Sequence, residues 1–404
     1  MNSIRLDDLP YLDVFSDEYA RDPYPLIARA RAEGPVARSD RGLEFLTHKA
    51  GQELLADPRC NTGFGGLLAQ QGITAGPLYE QWVEGLIGAE GELHRRLRLA
   101  VMPYFNAGAA KRLRDVARQH VDEWVAEGGT GGEFDFAERV GRRLPSALFC
   151  HMIGVPVEDA PIMADISERM LAVLTFQPGT GEIAEQARAD AHDYLAPIVE
   201  QRRRQPGDDL ISALVSATGA GALSDAEVMD TAATVLGGST DNTNTQLCLN
   251  LLALAENPGA WQALKQDRGL VRTAVLEGVR WKPGFLAGFR VPEEQFEYAG
   301  LTLEPGHLVL LNTLAANRDP DVYENPDEFD VRRRAPAGLN FGHGRHFCVG
   351  RAIALVEMEE TLNVLLDRWS EFSVGDVEIW GSPFSLRVQK APVQFQVDGG
   401  SPAG

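Results

Sequence analysis

Residues 224–255 carry the longest uninterrupted helical pattern in the chain, and everything else must pack around it. Ser224-Asp225-Ala226-Glu227 reads as a capping box at its start, and Asn257-Pro258 stops it. Roughly 30 residues at ~1.5 Å rise each make an element that crosses a whole domain. Its middle breaks the local rules. Gly237-Gly238-Ser239-Thr240-Asp241-Asn242-Thr243 lowers helix propensity and brings polar side chains into an otherwise apolar element. Such a lapse marks a functional site or, on the plainer reading, a kink or close packing against a neighbouring helix.

Apolar residues at spacings of three and four recur over 23–33, 92–104, 109–126, 183–204, 260–265, 270–281 and 351–369. Strand-like pieces are short and gather at 36–46 and, late in the chain, at 289–309 and 377–397. The expected fold is mainly α with a minor β region. No linker rich in Ser, Pro or Gly divides the sequence and no repeat appears, so residues 1–404 are expected to form a single domain ending in a short disordered tail at about 399–404.

The composition, 44% hydrophobic and 24% charged, argues against disordered, collagen-like and membrane-spanning classes. With 38 Lys+Arg against 58 Asp+Glu the net charge is −20, a field that repels nucleic acid and anionic membrane surfaces. Four cysteines, Cys60, Cys150, Cys248 and Cys348, are too sparse for a disulfide framework and fit a reducing compartment. The first residues hold neither a secretory signal pattern nor a long apolar run. The expectation is a soluble, cytoplasmic protein with no membrane and no nucleic-acid partner.

Phe341-Gly342-His343-Gly344-Arg345-His346-Phe347-Cys348-Val349-Gly350 sets a single thiol in a glycine-rich loop just ahead of the helical pattern at 351–369. Unpaired N–H groups at a helix start favour a thiolate, which is a good soft metal ligand; a lone cysteine is otherwise often a small buried hydrophobe. The segment matches F-x-x-G-x-x-x-C-x-G at every fixed position, and the chain resembles the cytochrome P450 superfamily of haem-thiolate enzymes. Two further matches are correctly ordered. Glu277-Gly278-Val279-Arg280 resembles the family's E-x-x-R helix signature, and Phe329-Asp330-Val331-Arg332-Arg333 the segment whose arginine completes a buried Glu277–Arg280–Arg333 network.

The resemblance covers essentially the whole chain. It implies the cytochrome P450-like fold and haem (heme b, iron protoporphyrin IX), with Cys348 as metal ligand and Phe341 and Gly350 in the cofactor loop. His94 and Arg98, one helical turn apart, together with Arg290 and His346, are the expected partners of the haem propionates. The resemblance is to the bacterial type that takes electrons from a separate ferredoxin and ferredoxin reductase, and a monomer is expected.

One departure bears on chemistry. The family's (A/G)-G-x-(D/E)-T-(T/S) motif falls over Gly238 to Thr243, so the acid is kept as Asp241 while the usual threonine is replaced by Asn242. In the family the acid relays protons and the alcohol holds the water that delivers them. Asn242 can hold a water but cannot rotate one O–H between roles; Thr240 or Thr243 could substitute. Asp241, Asn242 and Thr243 are the candidate catalytic residues. Three readings follow: a monooxygenase using dioxygen, a peroxide-driven oxygenase or oxidative-coupling enzyme, and a noncatalytic haem sensor or binding module.

By the same analogy the substrate pocket draws on Phe64, Phe176, Gly238, Phe285 and Phe384, with Leu67, Leu68, Ile73, Trp82, Met170, Leu174 and Leu286 around them. A site so lined suits a small apolar or aromatic substrate, for hydroxylation or O-dealkylation. Lys111, Arg112, Arg114, Arg332, Arg333, Arg334, Arg345 and Arg351 are candidates for a basic patch that steers an acidic ferredoxin, with some of them held in internal pairs instead.

Overall fold

The computed structural model describes residues 5–129, 131–219, 223–336, 338–382 and 384–397; the tail expected at 399–404 lies outside them. The central helix runs unbroken as Asp225–Glu256. Ser224 Oγ accepts from the Glu227 backbone N–H, and the Glu227 carboxylate accepts from the Ser224 N–H, so both halves of the capping box form. The polar middle stays helical because its hydroxyls turn back onto the helix. Ser239 and Thr240 both donate to the Leu236 carbonyl, at 3.0 and 3.1 Å, which satisfies them without breaking the ladder.

Helices Arg143–Ile153, Ala160–Leu171, Thr180–Arg204, Val271–Trp281 and Arg351–Arg368 pack around it. Close approach needs a glycine at one crossing: a Cβ on Gly278 would lie 2.4 Å from Asn250 Oδ1 of the central helix. The helices expected from periodicity appear within a few residues of their sequence bounds, as Tyr24–Glu33, Gly91–Val101, Ala107–Ala126 and Pro258–Gln266 illustrate. Arg143–Ile153 and Ala160–Leu171 were not expected. The first is buried on nearly every side and contains Pro145, so it offers no amphipathic stripe to read.

The β region lies mainly in a five-stranded sheet ordered Val36–Ser39, Gly42–Phe45, Val309–Asn312, Ala287–Pro292 and Cys60–Asn61. Gly42–Phe45 and Val309–Asn312 run parallel; the other pairs are antiparallel. A late hairpin pairs Glu378–Gly381 with Leu386–Lys390. Pro392–Val397 joins two strands that lack a clear alternating signal, Gly131–Asp135 and Trp369–Val374. Among the described residues no helix is long and apolar enough to cross a membrane.

Candidate functional site

The loop before helix Arg351–Arg368 is fixed by backbone geometry. Gly344 sits at φ 71°, and a Cβ there would lie 2.9 Å from Ala56 Cα, so the loop rests directly on helix His48–Ala56. The Cys348 N–H donates to the Phe341 carbonyl at 2.8 Å, closing the turn. The Cys348 sulfur is surrounded by protein yet open, because it lines an internal cavity of about 330 Å³ together with Phe341, His346, Gly350, Arg290 and Gly238.

Burial pushes the Cys348 thiol up; the Gly350 and Arg351 N–H groups and the Arg98 and Arg351 charges pull it down without prevailing. The helix start therefore does not by itself make a thiolate, as its position in the sequence suggested. The missing stabilisation is a positive charge at the sulfur, which a metal ion supplies.

Beside the sulfur, the site gathers arginine and histidine nitrogens that the protein leaves unmatched among the described residues. Arg290 is buried with no ion-pair partner among the described residues; its Nη atoms donate to the Phe289 and Leu55 carbonyls, and its Nε has no partner. Burial, then repulsion from Arg345, brings it down to about 10. His94 is buried with an unpartnered Nε2, and burial with the His346 and Arg98 charges pushes it down to about 4. Arg98 donates to the Phe347 carbonyl at 2.6 Å. The His94 and His346 rings lie 4.1 Å apart.

An unpaired buried guanidinium costs several kcal/mol unless an anion meets it, and two of these residues keep idle nitrogens. A soft sulfur ligand, an apolar-walled cavity and a rim of unsatisfied nitrogens that includes the buried Arg290 guanidinium fit an iron macrocycle that carries carboxylates. His346 is the exception in the rim, because Glu90 engages it: Glu90 accepts from His346 Nε2 at 3.2 Å and from Arg345 Nε at 2.6 Å. Burial pushes the Glu90 carboxyl up, but those two hydrogen bonds outweigh it and hold it at about 2.

The network behind the loop forms as the resemblance implied. Arg280 grips Glu277 through Nε and Nη2 at 2.8 and 2.7 Å, Arg333 Nε reaches Glu277 at 3.1 Å, and the remaining guanidinium donors find backbone carbonyls such as Pro326 and Glu328. Internal pairing also removes several arginines from the expected basic patch. Arg333 belongs to Glu277, Arg345 to Glu90, and Arg114 to Glu359 and Glu360. Arg351 lies over the Phe341 ring. Lys111, Arg112, Arg332 and Arg334 stay exposed.

The middle of the central helix splits between two faces. Gly238, Ser239, Asn242, Thr243 and Gln246 line the inner cavity, and space lies open where a Gly238 Cβ would stand. Asp241 faces away and accepts from Arg387 Nε at 3.1 Å. Burial pushes its carboxyl up, while the Arg387 charge opposes and the Glu168 charge adds to the shift. Thr240 is engaged with Ser167 and the Leu236 carbonyl on the side away from the cavity. Of the two alcohols expected to replace the missing threonine, only Thr243 reaches the cavity.

Phe64 and Phe285 line the cavity, joined by Phe289, which the sequence did not single out; Phe64 and Phe289 meet edge-on at 5.2 Å. Phe384 lines an outer channel with Leu174, and Phe176, held at φ 58°, packs on Phe384 at 5.9 Å one layer back. Leu67, Leu68, Trp82 and Met170 are core. Arg387 and Glu357 also went unread: nothing marks either among the many arginines and glutamates of the chain. Gln246 had a signal, one helical turn after Asn242.

A family model described as cytochrome P450 matches residues 76–396. A luteothin monooxygenase from Streptomyces thioluteus is 34% identical over 368 residues, 89% of either chain. A mycinamicin IV hydroxylase/epoxidase from Micromonospora griseorubida is 34% identical over 310 residues, 75% of this chain and 77% of its own. The crystal structure of CalO2 superposes with a TM-score of 0.89 at 24% identity, covering 96% of this chain and 99% of that one.

Proposed function

This chain belongs to the cytochrome P450 family and is a monooxygenase of it, and on that premise we propose that it inserts one oxygen atom from dioxygen into a small organic substrate with an apolar, aromatic body. Hydroxylation or O-dealkylation is the reaction, and a separate ferredoxin and its reductase are the electron source. The relatives' names, which specify luteothin and mycinamicin IV, support an organic small molecule as substrate.

The observation that carries the reading is the Cys348 sulfur opening into one cavity with the unpaired Arg290, beside the idle His94. Cys348 would hold the iron of haem b, and Arg290, His94 and Arg98 would meet its carboxylates. When bound, the haem supplies the iron that takes up and reduces dioxygen, with electron donation from the cysteine sulfur.

The protein's own residues handle protons and water. Asp241 lines both the outer channel and a polar pocket of about 50 Å³ shared with Ser167, Asn244 and Arg142, large enough for water. It can therefore exchange protons with solvent and pass them inward along the helix. Thr243 has no hydrogen-bond partner among the described residues, so its hydroxyl is free to turn between accepting and donating toward the cavity. Asn242 stands at the junction of cavity and channel, where it can fix a water without switching roles. Phe64, Phe285 and Phe289 form the apolar walls that hold the substrate and exclude bulk water.

Reduction under carbon monoxide tests the ligand. The red-shifted Soret band of thiolate-bound haem should appear and be lost in Cys348→Ala. The same preparation should then form product with NAD(P)H, ferredoxin and reductase. A second reading, a peroxide-driven oxygenase, is favoured by one feature, Asn242 in place of the family's threonine. Product from peroxide alone at a comparable rate would select it.

A further inference from the structure

The outer channel has a wall that a purely apolar substrate does not explain. This channel, of about 470 Å³, shares Phe64, Asn242, Phe285 and Phe289 with the inner cavity. Leu171, Leu174 and Phe384 make its apolar side, and Arg387 stands in the polar side with Asp241 and Glu168. Arg387 comes from strand Leu386–Lys390 of the late hairpin, and its side chain is only 17% exposed.

A guanidinium presents five N–H bonds in a rigid fork. Arg280, whose task is to neutralise Glu277, uses that fork in full: two nitrogens on the carboxylate and the rest on backbone carbonyls. Arg387 gives Asp241 its Nε alone. Both Nη atoms are left without a protein partner among the described residues, and neither is sealed from open space. Two guanidinium nitrogens that face the channel with no protein acceptor among the described residues are charged donors available to a hydrogen-bond acceptor on the substrate. The local charge selects the acceptor. Asp241 and Glu168 share the channel wall with Arg387, so an approaching carboxylate is repelled, whereas a neutral carbonyl is not.

We infer that Arg387 is a substrate-recognition residue that donates through its Nη atoms to a neutral carbonyl oxygen, of a ketone, ester or lactone, on a substrate whose apolar body reaches past Asn242 into the inner cavity. The inference rests on the oxygenase reading and deepens it by naming a functional group of the substrate.

A matched pair of probes tests it. 4-Acetylbiphenyl and 4-ethylbiphenyl have the same length and differ by a carbonyl in place of a methylene. Titrated calorimetrically into the haem-loaded protein, the acetyl compound should bind about tenfold tighter, as one hydrogen bond to a charged donor gives. The double variant Asp241→Asn/Arg387→Met removes both charges together, leaves neither unpaired, and should bind the two probes alike. Arg387→Lys keeps a cation opposite Asp241 but loses the fork, and should narrow the preference; it decides the matter alone if the double variant fails to retain haem. Equal binding by the wild type, or a preference undiminished in the variants, overturns the role of Arg387 and leaves the oxygenase reading standing. If the wild type binds neither probe, the apolar pocket of that reading falls, and the inference with it.

Discussion

Arg387 Nε lies 3.1 Å from Asp241 Oδ2, tying the acid in the middle of the central helix to the late hairpin, 146 residues away in sequence. The pair joins the two parts of the molecule that face the outer channel, and it holds the acid that the proposed reaction uses. Arg387→Met strips a mostly buried carboxylate of the one side chain that donates to it among the described residues and should lower stability by about 1–3 kcal/mol. It should also raise the pH at which Asp241 loses its proton, because the Arg387 charge is what opposes the upward push of burial. Urea titrations and the pH profile of product formation read the two effects, and Asp241→Asn in the same chain should restore part of the stability.

Arg290 gives a prediction in which the forms with and without cofactor move in opposite directions. A buried guanidinium with no carboxylate partner is a cost to the empty protein and an asset once an anion arrives. Arg290→Leu should leave the haem-free protein as stable as before or more so, while haem is lost about tenfold more readily. Melting curves of both forms and transfer of haem to an acceptor protein measure this. A haem-free protein clearly destabilised by the change would mean that the guanidinium is matched within the protein.

Asn242→Thr restores an alcohol at the junction of cavity and channel. The share of consumed dioxygen that ends in product should rise, and the rate with peroxide alone should fall relative to it. Thr243→Val should do the reverse, since Thr243 has the one hydroxyl in this segment that is free and faces the cavity. Parallel measurement of NAD(P)H consumed, peroxide released and product formed separates these outcomes.

Glu357 carries a pH dependence whose sign is fixed by its surroundings. Its side chain is buried beside the cavity, its Oε2 has no partner, and burial alone raises the carboxyl well above the ordinary value of 4.5. Below that value the group is protonated in both folded and unfolded chains and contributes nothing to the difference. Above it the unfolded chain gives up the proton while the folded chain keeps it, so the folded state binds more protons and stability falls as pH rises. Glu357→Gln should flatten that decline on the alkaline side of the ordinary carboxyl value. Urea midpoints across the range, compared with wild type, read the slope; parallel slopes would show that Glu357 is ionised in the fold.

What could be read in advance was local. The capping box at Ser224, the helix bounds, the thiol loop before a helix start, and the one-turn spacing of Glu277 and Arg280 all follow from residues within a few positions of one another. Helix Arg143–Ile153 escaped notice because it is buried all round and has no polar face to set a period. The stretch 284–289 was expected at the pocket, but that Phe289 meets Phe64 edge-on in its wall is decided only once the chain has placed the two rings together.

The sequence by itself determined that a cysteine loop would precede a helix and that a long helix with a polar middle would run through the domain. Tertiary structure decided which charges meet. Arg345 and Arg114 turn inward to Glu90, Glu359 and Glu360, while among the described residues Arg290 is left without an anion and Arg387 engages Asp241 through Nε alone. The reason is that an ion pair depends on distance and burial, and contacts between residues 146 or 255 positions apart exist only after the chain has closed.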